Sequence, residues 1–301
     1  MNQIVAVVVT YNRCELLIEN IEKLLNQTVP LDILIVDNNS SDGTHERLKE
    51  YIDQNKIKYF NTGANLGGAG GFQYGIKKAV LLGYEYLWIM DDDCMPEPEA
   101  LQKLKETDVN LNGDYGFLSS KVLWKDGSIC TMNVQRYTLT KSIKKFDEPV
   151  IPVVMASFVS LFIKSSTVID VGLPIKEFFI WTDDWEYTRR ISRKLPCYVV
   201  SESVVIHKSN SNIGANISND SIDRLPRYKY LYRNDVYLYR REGFKGFCYE
   251  FMRLSLHFFR IIFKAKNNKR ERLKMLFSGT KDGFNFHPQI EFIDENELGK
   301  Y

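Results

Sequence analysis

Along the first ninety residues, short runs of consecutive apolar residues alternate with stretches whose apolar positions recur every three or four residues. Residues 4–9, rich in valine, predict a buried strand. Leu17, Ile21, Leu24 and Leu25 fall at helical spacing and predict a helix over 15–26. A second buried strand is expected over 31–36, and Ser41-Asp42-Gly43-Thr44 marks a turn and a helix start. A short strand over 57–60, a helix over 72–82 and a strand over 85–90 complete the series. Strands and helices that alternate at this pace predict an α/β fold on a largely parallel sheet. Beyond about residue 93 the rhythm changes. Strands are expected over 115–119, 121–124 and 150–163, which makes the sheet mixed. From Arg224 onward the chain reads as helical, aromatic and basic. We therefore expect an α/β region with a mixed sheet over 1–210 and a helical C-terminal region over 211–301, the boundary lying in the polar stretch 208–220.

The apolar fraction of 44% belongs to a globular chain, and a net charge of +2 gives it no overall attraction for nucleic acid. The charge is uneven: residues 240–281 carry a net +9 and residues 282–301 a net −4. The five cysteines are scattered, with no Cys-x-x-Cys pair, as in a protein of the reducing cytoplasm. Residues 1–5 have neither the basic start nor the apolar core of a signal peptide, and no stretch approaches 18 apolar residues.

Polar clusters follow the expected strands. Asp91, Asp92 and Asp93 close the strand over 85–90, at the carboxyl end where open α/β sheets bind ligands. Adjacent carboxylates repel unless a cation sits among them, and hard divalent metals take one or two carboxylates together with substrate phosphates. The alternative is a solvated acidic turn. Thr10-Tyr11-Asn12-Arg13 and Asp37-Asn38-Asn39-Ser40 share that rim; a carboxylate such as Asp37 can accept the imide N–H of a pyrimidine, or it can simply make a turn. Gly67, Gly68, Gly70 and Gly71 lead into a helix, where free backbone N–H groups favour a diphosphate and missing side chains let a ligand approach. A flexible loop is the competing reading. Trp181-Thr182-Asp183-Asp184-Trp185-Glu186 places carboxylates beside tryptophans; shielding from water raises a carboxylate toward general-base strength, and the same residues suit a helix N-terminus. His207 ends an apolar strand and is either a structural histidine or a metal ligand.

Taken in order, these motifs resemble the inverting family 2 glycosyltransferases of the GT-A fold, and most of all the bacterial galactofuranosyltransferases. The resemblance covers about residues 4–234. The aspartate triplet and Asp183-Asp184-x-Glu186 are shared across the family. The Gly-Gly-Ala-Gly-Gly-Phe run ending at Phe72 and Tyr232-Arg233-Asn234 are narrower and favour the galactofuranosyl branch, with rhamnosyl transfer close behind. The chain is much shorter than the mycobacterial polymerising members and lacks their N-terminal extension. The resemblance implies that Thr10, Arg13 and Asp37 hold uridine, with Gly67, Gly68, Gly70 and Asp92 also on the donor. It places Asp91 and Asp93 at the ribose and the metal and His207 as a further metal ligand. Asp184 becomes the general base with Asp183 and Glu186 in support, and Trp181 and Trp185 line the acceptor site.

The expected activity is transfer of a sugar, galactofuranose from UDP-galactofuranose, to a hydroxyl of a cell-surface glycan or lipid-linked acceptor, with Mn²⁺ or Mg²⁺ as cofactor. A rhamnosyltransferase using dTDP-rhamnose is the nearest alternative. A sugar nucleotidyltransferase would want a glycine-rich signature where Thr10-Tyr11-Asn12-Arg13 stands, and a non-catalytic nucleotide-sugar or glycan-binding module would not need the acids beside Trp181. Phe244, Phe247, Phe251, Leu254, Phe258, Ile261 and Ala265 form one apolar stripe, with Arg253, His257, Arg260 and Lys264 on its neighbour. Such a basic amphipathic helix suits either an anionic membrane surface or packing on protein. We therefore expect a cytoplasmic protein peripheral on the inner face of the membrane, with homo-oligomer formation left open.

Overall fold

The computed structural model describes residues 3–294 and 296. The outermost parts of the expected regions 1–210 and 211–301, namely residues 1–2, 295 and 297–301, lie outside the described residues. The chain forms two compact units, one of residues 1–176, 184–212 and 290–301, the other of residues 177–183 and 213–289.

In the first unit the chain runs β1 (Ile4–Thr10), α1 (Cys14–Leu25), β2 (Asp32–Asp37), α2 (Thr44–Asp53), β3 (Lys58–Asn61), α3 (Gly67–Leu81), β4 (Tyr86–Asp91), β5 (Cys94–Pro96) and α4 (Ala100–Asn110). It continues through β6 (Phe117–Trp124), β7 (Val150–Pro152), β8 (Leu161–Lys164), α5 (Ser165–Val171), α6 (Asp183–Ser192) and β9 (Tyr198–His207), Asp183 itself belonging to the second unit. The strands form one mixed sheet in the order β3-β2-β1-β4-β8-β6-β9-β5, with β7 also on β9. β3, β2, β1 and β4 are parallel, and β8 then runs antiparallel to β4. Both faces of the parallel half are covered, which is why its strands read as unbroken apolar runs. Ala6 and Val8 pack with Leu17, Ile21 and Leu24 of α1 on one face, and Val5, Val7 and Val9 pack with Phe72, Ile76 and Ala79 of α3 on the other.

Register fixes the rim. Thr10 pairs with Asp37, and Val9 with Asp91, so Thr10, Asp37 and Asp91 end adjacent parallel strands on one edge. β5 then pairs antiparallel with β9, setting Cys94 opposite His207. A strand too short to stand out in the sequence thus carries a histidine more than a hundred residues away to the aspartates.

Three expectations change. The helix expected over 72–82 starts at Gly67, so the glycines are its first turns, not a loop before it. A Cβ on Gly71 would lie 2.6 Å from Val9 Cγ1, and one on Gly75 equally near Val7 Cγ1. These glycines let α3 sit close on β1. The strand expected over 150–163 is two strands, β7 and β8, joined by a buried segment. Tertiary partners satisfy that segment's backbone: Val153 N–H bonds the Cys197 carbonyl, and the Thr188 hydroxyl meets Ala156 N–H. Residues 117–124 form one strand whose pairing with β9 shifts between Ser120 and Lys121, which is what divides the sequence pattern there.

The second unit contains α7 (Leu225–Arg240), α8 (Gly243–Lys264) and α9 (Lys269–Phe284). Its core joins Tyr228 and Tyr232 of α7, Ile261 of α8 and Leu276 of α9. Gly279 and Gly283 admit the α7 backbone: a Cβ on either would meet an α7 carbonyl oxygen within 3 Å. The apolar stripe expected along α8 divides. Leu254, Phe258, Ile261 and Ala265 pack in this core, whereas Phe244, Phe247 and Phe251 face outward with Met252, Leu256, Phe259 and Phe263. The expected basic stripe is not exposed as such either. Arg253 pairs with Asp235 and Glu250, and His257 meets the Tyr232 hydroxyl. Among the described residues, no helix is long and apolar enough to cross a membrane.

Candidate active site

At the carboxyl rim of the first unit's sheet, Thr10, Arg13, Asp92, Asp93 and His207 form one connected group. Thr10 donates its hydroxyl hydrogen to Asp92 Oδ2 at 2.8 Å. Arg13 Nη1 lies 2.7 Å from Asp93 Oδ2 and 3.3 Å from Asp92 Oδ1. His207 Nε2 stands 3.1 Å from Asp93 Oδ1. Its other ring nitrogen, Nδ1, is 2.8 Å from Asn133 Oδ1, an acceptor, so Nδ1 carries a hydrogen and the ring presents Nε2 to the aspartates. Sequence spacing gave no hint of Asn133. It comes from a one-turn 3₁₀ helix between β6 and β7, and only the fold shows it behind His207.

The electrostatics are those of a site built around positive charge. Burial and the Asp93 charge push Asp91 up to about 6. Burial pushes Asp92 up to about 7, against the pull of Arg13. Burial also opposes ionisation of Asp93, yet the hydrogen bond and charge of His207, with Arg13, hold it below the usual carboxylate value. Burial works against a charged His207, but Asp93 outweighs it and raises the imidazole to about 10. At neutral pH the Nε2 position therefore holds a proton between ring and carboxylate.

This is a donor set a divalent cation can use. Asp93, Cys94 and His207 bring one ligand atom each to within 4.8 Å of one another, and the cation would take the place of the His207 proton. Burial raises the Cys94 thiol well above its ordinary value, so oxygen and imidazole are the ligands to expect. Of the expected metal residues, Asp93 and His207 are in direct contact. Asp91 reaches them through its charge, which adds to the raising of His207.

Asp37 is fully buried, its Oδ1 accepting the Ser40 N–H at 2.8 Å and its Oδ2 the Tyr59 hydroxyl. A carboxylate has about four lone-pair sites, so these two bonds orient it and leave lone pairs unused. Neighbouring Asn38 donates from Nδ2 to the Gly67 carbonyl at 3.0 Å, tying the start of α3 to the end of β2. Gly67 has φ +72°, and Gly70 packs on Leu66, whereas a Cβ on Gly68 would meet nothing within 4 Å. Of the expected donor glycines, Gly68 leaves room for a ligand and Gly70 does not.

α6 carries the second set of acids. Asp184 Oδ1 accepts the Trp185 N–H at 2.7 Å. Glu186 is 4% exposed and binds Arg190 at 2.9 Å, while Arg190 also donates to the Val171 and Leu173 carbonyls. Glu186 thus anchors α6 to the chain following α5. Trp185 lies under the Arg136 guanidinium, 4.4 Å from its ring centre.

In the second unit Trp181 stands edge-on to Tyr228 with ring centres 5.2 Å apart, and Asp183 is buried. Phe179, Trp181 and Thr182 have φ of +63°, +64° and +68°. For residues with a Cβ this left-handed region costs about 1–2 kcal/mol each. Other contacts must hold the segment there, and α7 supplies them. Asn234 Nδ2 donates toward the carbonyls of Phe178, Ile180 and Trp181 at 2.9–3.2 Å, one hydrogen being shared. The Thr182 hydroxyl donates to Asp235 Oδ1 at 2.6 Å.

Residues 5–113 match Glycosyl transferase family 2. The chain is similar to the galactofuranosyltransferase GlfT1 of Mycolicibacterium smegmatis, 25% identical over 278 residues, covering 84% of this chain and 88% of that one. Among solved structures it resembles GalNAc-T7 with UDP, GalNAc and Mn²⁺, with a TM-score of 0.59 and 16% identity over 77% of this chain and 47% of that one. It also resembles Staphylococcus aureus TarS, with a TM-score of 0.57 and 15% identity over 94% of this chain. The chain spans under half the length of both of these, 44% in the case of TarS. The fold is GT-A, the mixed α/β architecture expected from the sequence.

Proposed function

With residues 5–113 in glycosyl transferase family 2 as the premise, we propose that this glycosyltransferase moves galactofuranose from UDP-galactofuranose to a hydroxyl of a cell-surface glycan or lipid-linked acceptor, inverting the anomeric carbon. The observation that carries the reading is the rim itself, where Thr10, Asp37 and Asp91 end adjacent strands and Arg13, Asp92, Asp93 and His207 join by side-chain contact, with the open position at Gly68 at the start of α3. The similarity to GlfT1 supports the sugar.

Asp37 accepts the uracil imide hydrogen, with Thr10 and Arg13 beside it. Asp93, His207 and Asp91 would hold a divalent cation. When bound, that cation neutralises the charge that develops on the departing diphosphate. The acceptor oxygen forms a bond to the anomeric carbon from the face opposite the diphosphate, the bond from that carbon to the phosphate oxygen breaks, and UDP leaves with the electron pair. Asp184 takes the acceptor's proton. Asp183 and Trp181 flank the acceptor on one side of Asp184 in the chain, and Trp185 on the other.

The outward face of α8 supports membrane attachment. Phe244, Phe247, Phe251, Met252, Leu256, Phe259 and Phe263 are all exposed, with no acidic residue among them, and Lys245, Lys264, Lys266, Lys269, Arg270 and Lys274 are exposed at the ends and beyond. An apolar face rimmed by cations fits an anionic lipid surface. Sedimentation with anionic vesicles, weakened by salt and by Lys264, Lys266 and Lys269→Glu, is the expected result. Equal partition into neutral vesicles, or concentration-dependent dimers in their absence, would assign this face differently.

Calorimetric titration with a panel of nucleotide sugars tests the donor. Tightest binding of UDP-galactofuranose in the presence of Mn²⁺ is expected, and preference for dTDP-rhamnose would replace the sugar.

A further inference from the structure

We infer that Asn234, together with Asp235 and Thr182, forms a clamp of positioning residues that sets the backbone entering α6. The inference deepens the proposed mechanism and rests on Asp184 being the base. The segment 177–183 takes a path its residues disfavour, with three left-handed non-glycine residues in four positions. Its last residue is Asp183, and Asp184 follows directly. Segments strained in this way persist only where their surroundings over-determine them, and they cluster at functional sites.

The surroundings here are specific. Asn234 is wholly buried, and its amide is oriented because Arg233 Nε donates to its Oδ1 at 3.0 Å. That leaves Nδ2, the donor side, facing the carbonyls of Phe178, Ile180 and Trp181. Arg233 also donates to the Glu177 and Phe178 carbonyls. Asp235 accepts the Thr182 hydroxyl and is itself held by Arg253 Nη2 at 2.8 Å, while Arg253 is fixed by Glu250. Four carbonyls, those of Glu177, Phe178, Ile180 and Trp181, and one hydroxyl are thus gripped by two adjacent α7 side chains and their supports. Aspartate at 234 would present oxygens to carbonyl oxygens, and leucine would remove the donor that the Ile180 and Trp181 carbonyls share, Phe178 keeping Arg233 and the Ile180 N–H. Asparagine supplies what the strained turn needs, which gives a physical reason for the Tyr232-Arg233-Asn234 motif.

The test compares Asn234→Ala, Thr182→Val and Thr182→Ser with the wild type in donor KM, kcat and the pH–rate profile. Thr182→Val keeps the shape and loses the hydroxyl, so it is informative even where Asn234→Ala does not fold. The expected result is a fall in kcat of about tenfold or more in Asn234→Ala and Thr182→Val with donor KM within about twofold, because misplacement of a catalytic group costs rate. The acidic limb of the profile should move, and Thr182→Ser should restore the rate. A folded Thr182→Val with kcat within twofold of wild type overturns the clamp, as does a donor KM that rises in step with the loss of kcat. Asp184→Asn, assayed in parallel, tests the underlying reading separately. Near wild-type turnover there, with Thr182→Val still impaired, would refute Asp184 as the base and not the grip of the clamp.

Discussion

Gly68 and Gly71 stand three residues apart in the first turns of α3, and their surroundings are opposite. A Cβ on Gly71 would lie 2.6 Å from Val9 Cγ1 and 2.9 Å from Asn38 Nδ2, both in packed positions. Neither neighbour is a free side-chain end, so β1 or α3 must shift. Overpacking of this kind costs about 1–3 kcal/mol. A Cβ on Gly68 would meet nothing within 4 Å. Alanine lowers the backbone entropy of the unfolded chain, and in a helix's first turn the gain is up to about 0.5–1 kcal/mol. Chemical denaturation should therefore show Gly71→Ala losing stability and Gly68→Ala keeping or gaining it. Donor binding should run the other way. A methyl group at Gly68 fills space proposed for the nucleotide sugar, so Gly68→Ala should weaken donor binding at least fivefold. A Gly68→Ala protein as stable as wild type with unchanged donor affinity would refute a donor role for the glycine turn. A Gly71→Ala protein of undiminished stability would refute the packing argument.

Other expectations concern charge. Burial, with the charges of Arg253 and Arg260, holds His257 down at about 3 against an ordinary value of 6.5. Between those values the unfolded chain binds a proton that the folded chain refuses, so stability is full above about pH 6.5 and is lost as pH falls. At pH 5 the loss from this one group is about 2 kcal/mol. Urea titrations at pH 7.5 and 5 should show it, and His257→Asn should remove that part of the slope; an unaltered slope in the variant would contradict the assignment. Asn133→Ala should weaken Mn²⁺ binding by about 10–100-fold without touching a ligand, because the His207 ring loses the bond that orients it. Manganese titration followed by electron paramagnetic resonance would show this, and unchanged affinity would leave Asn133 as mere packing.

The alternating half of the fold was legible because both sheet faces are buried, so β1, β2 and β4 announce themselves as apolar runs. The rim was legible for the same reason, since the polar residues that end those runs are the ones register brings together. The buried segment 153–160 imitates a strand because its apolar residues are satisfied by tertiary partners invisible in the sequence. The glycine run imitates a loop because glycine is a poor helix former, and its close approach to Val7 and Val9 appears only once α3 lies on β1. Asn133 and the support beneath Trp181 and Thr182 depend on contacts across 74 and 53 residues, beyond any local pattern. α8 misled most, because two apolar faces on one helix sum to a stripe whose inner and outer halves have different partners.

The most direct measurement is release of UDP from UDP-galactofuranose by the purified chain, with and without an acceptor hydroxyl and with and without Mn²⁺. The account predicts release that depends on acceptor and metal, yields a product inverted at the anomeric carbon, and falls by about 10²–10⁴ in Asp184→Asn. Undiminished release after exhaustive chelation, or a product of retained configuration, would contradict it.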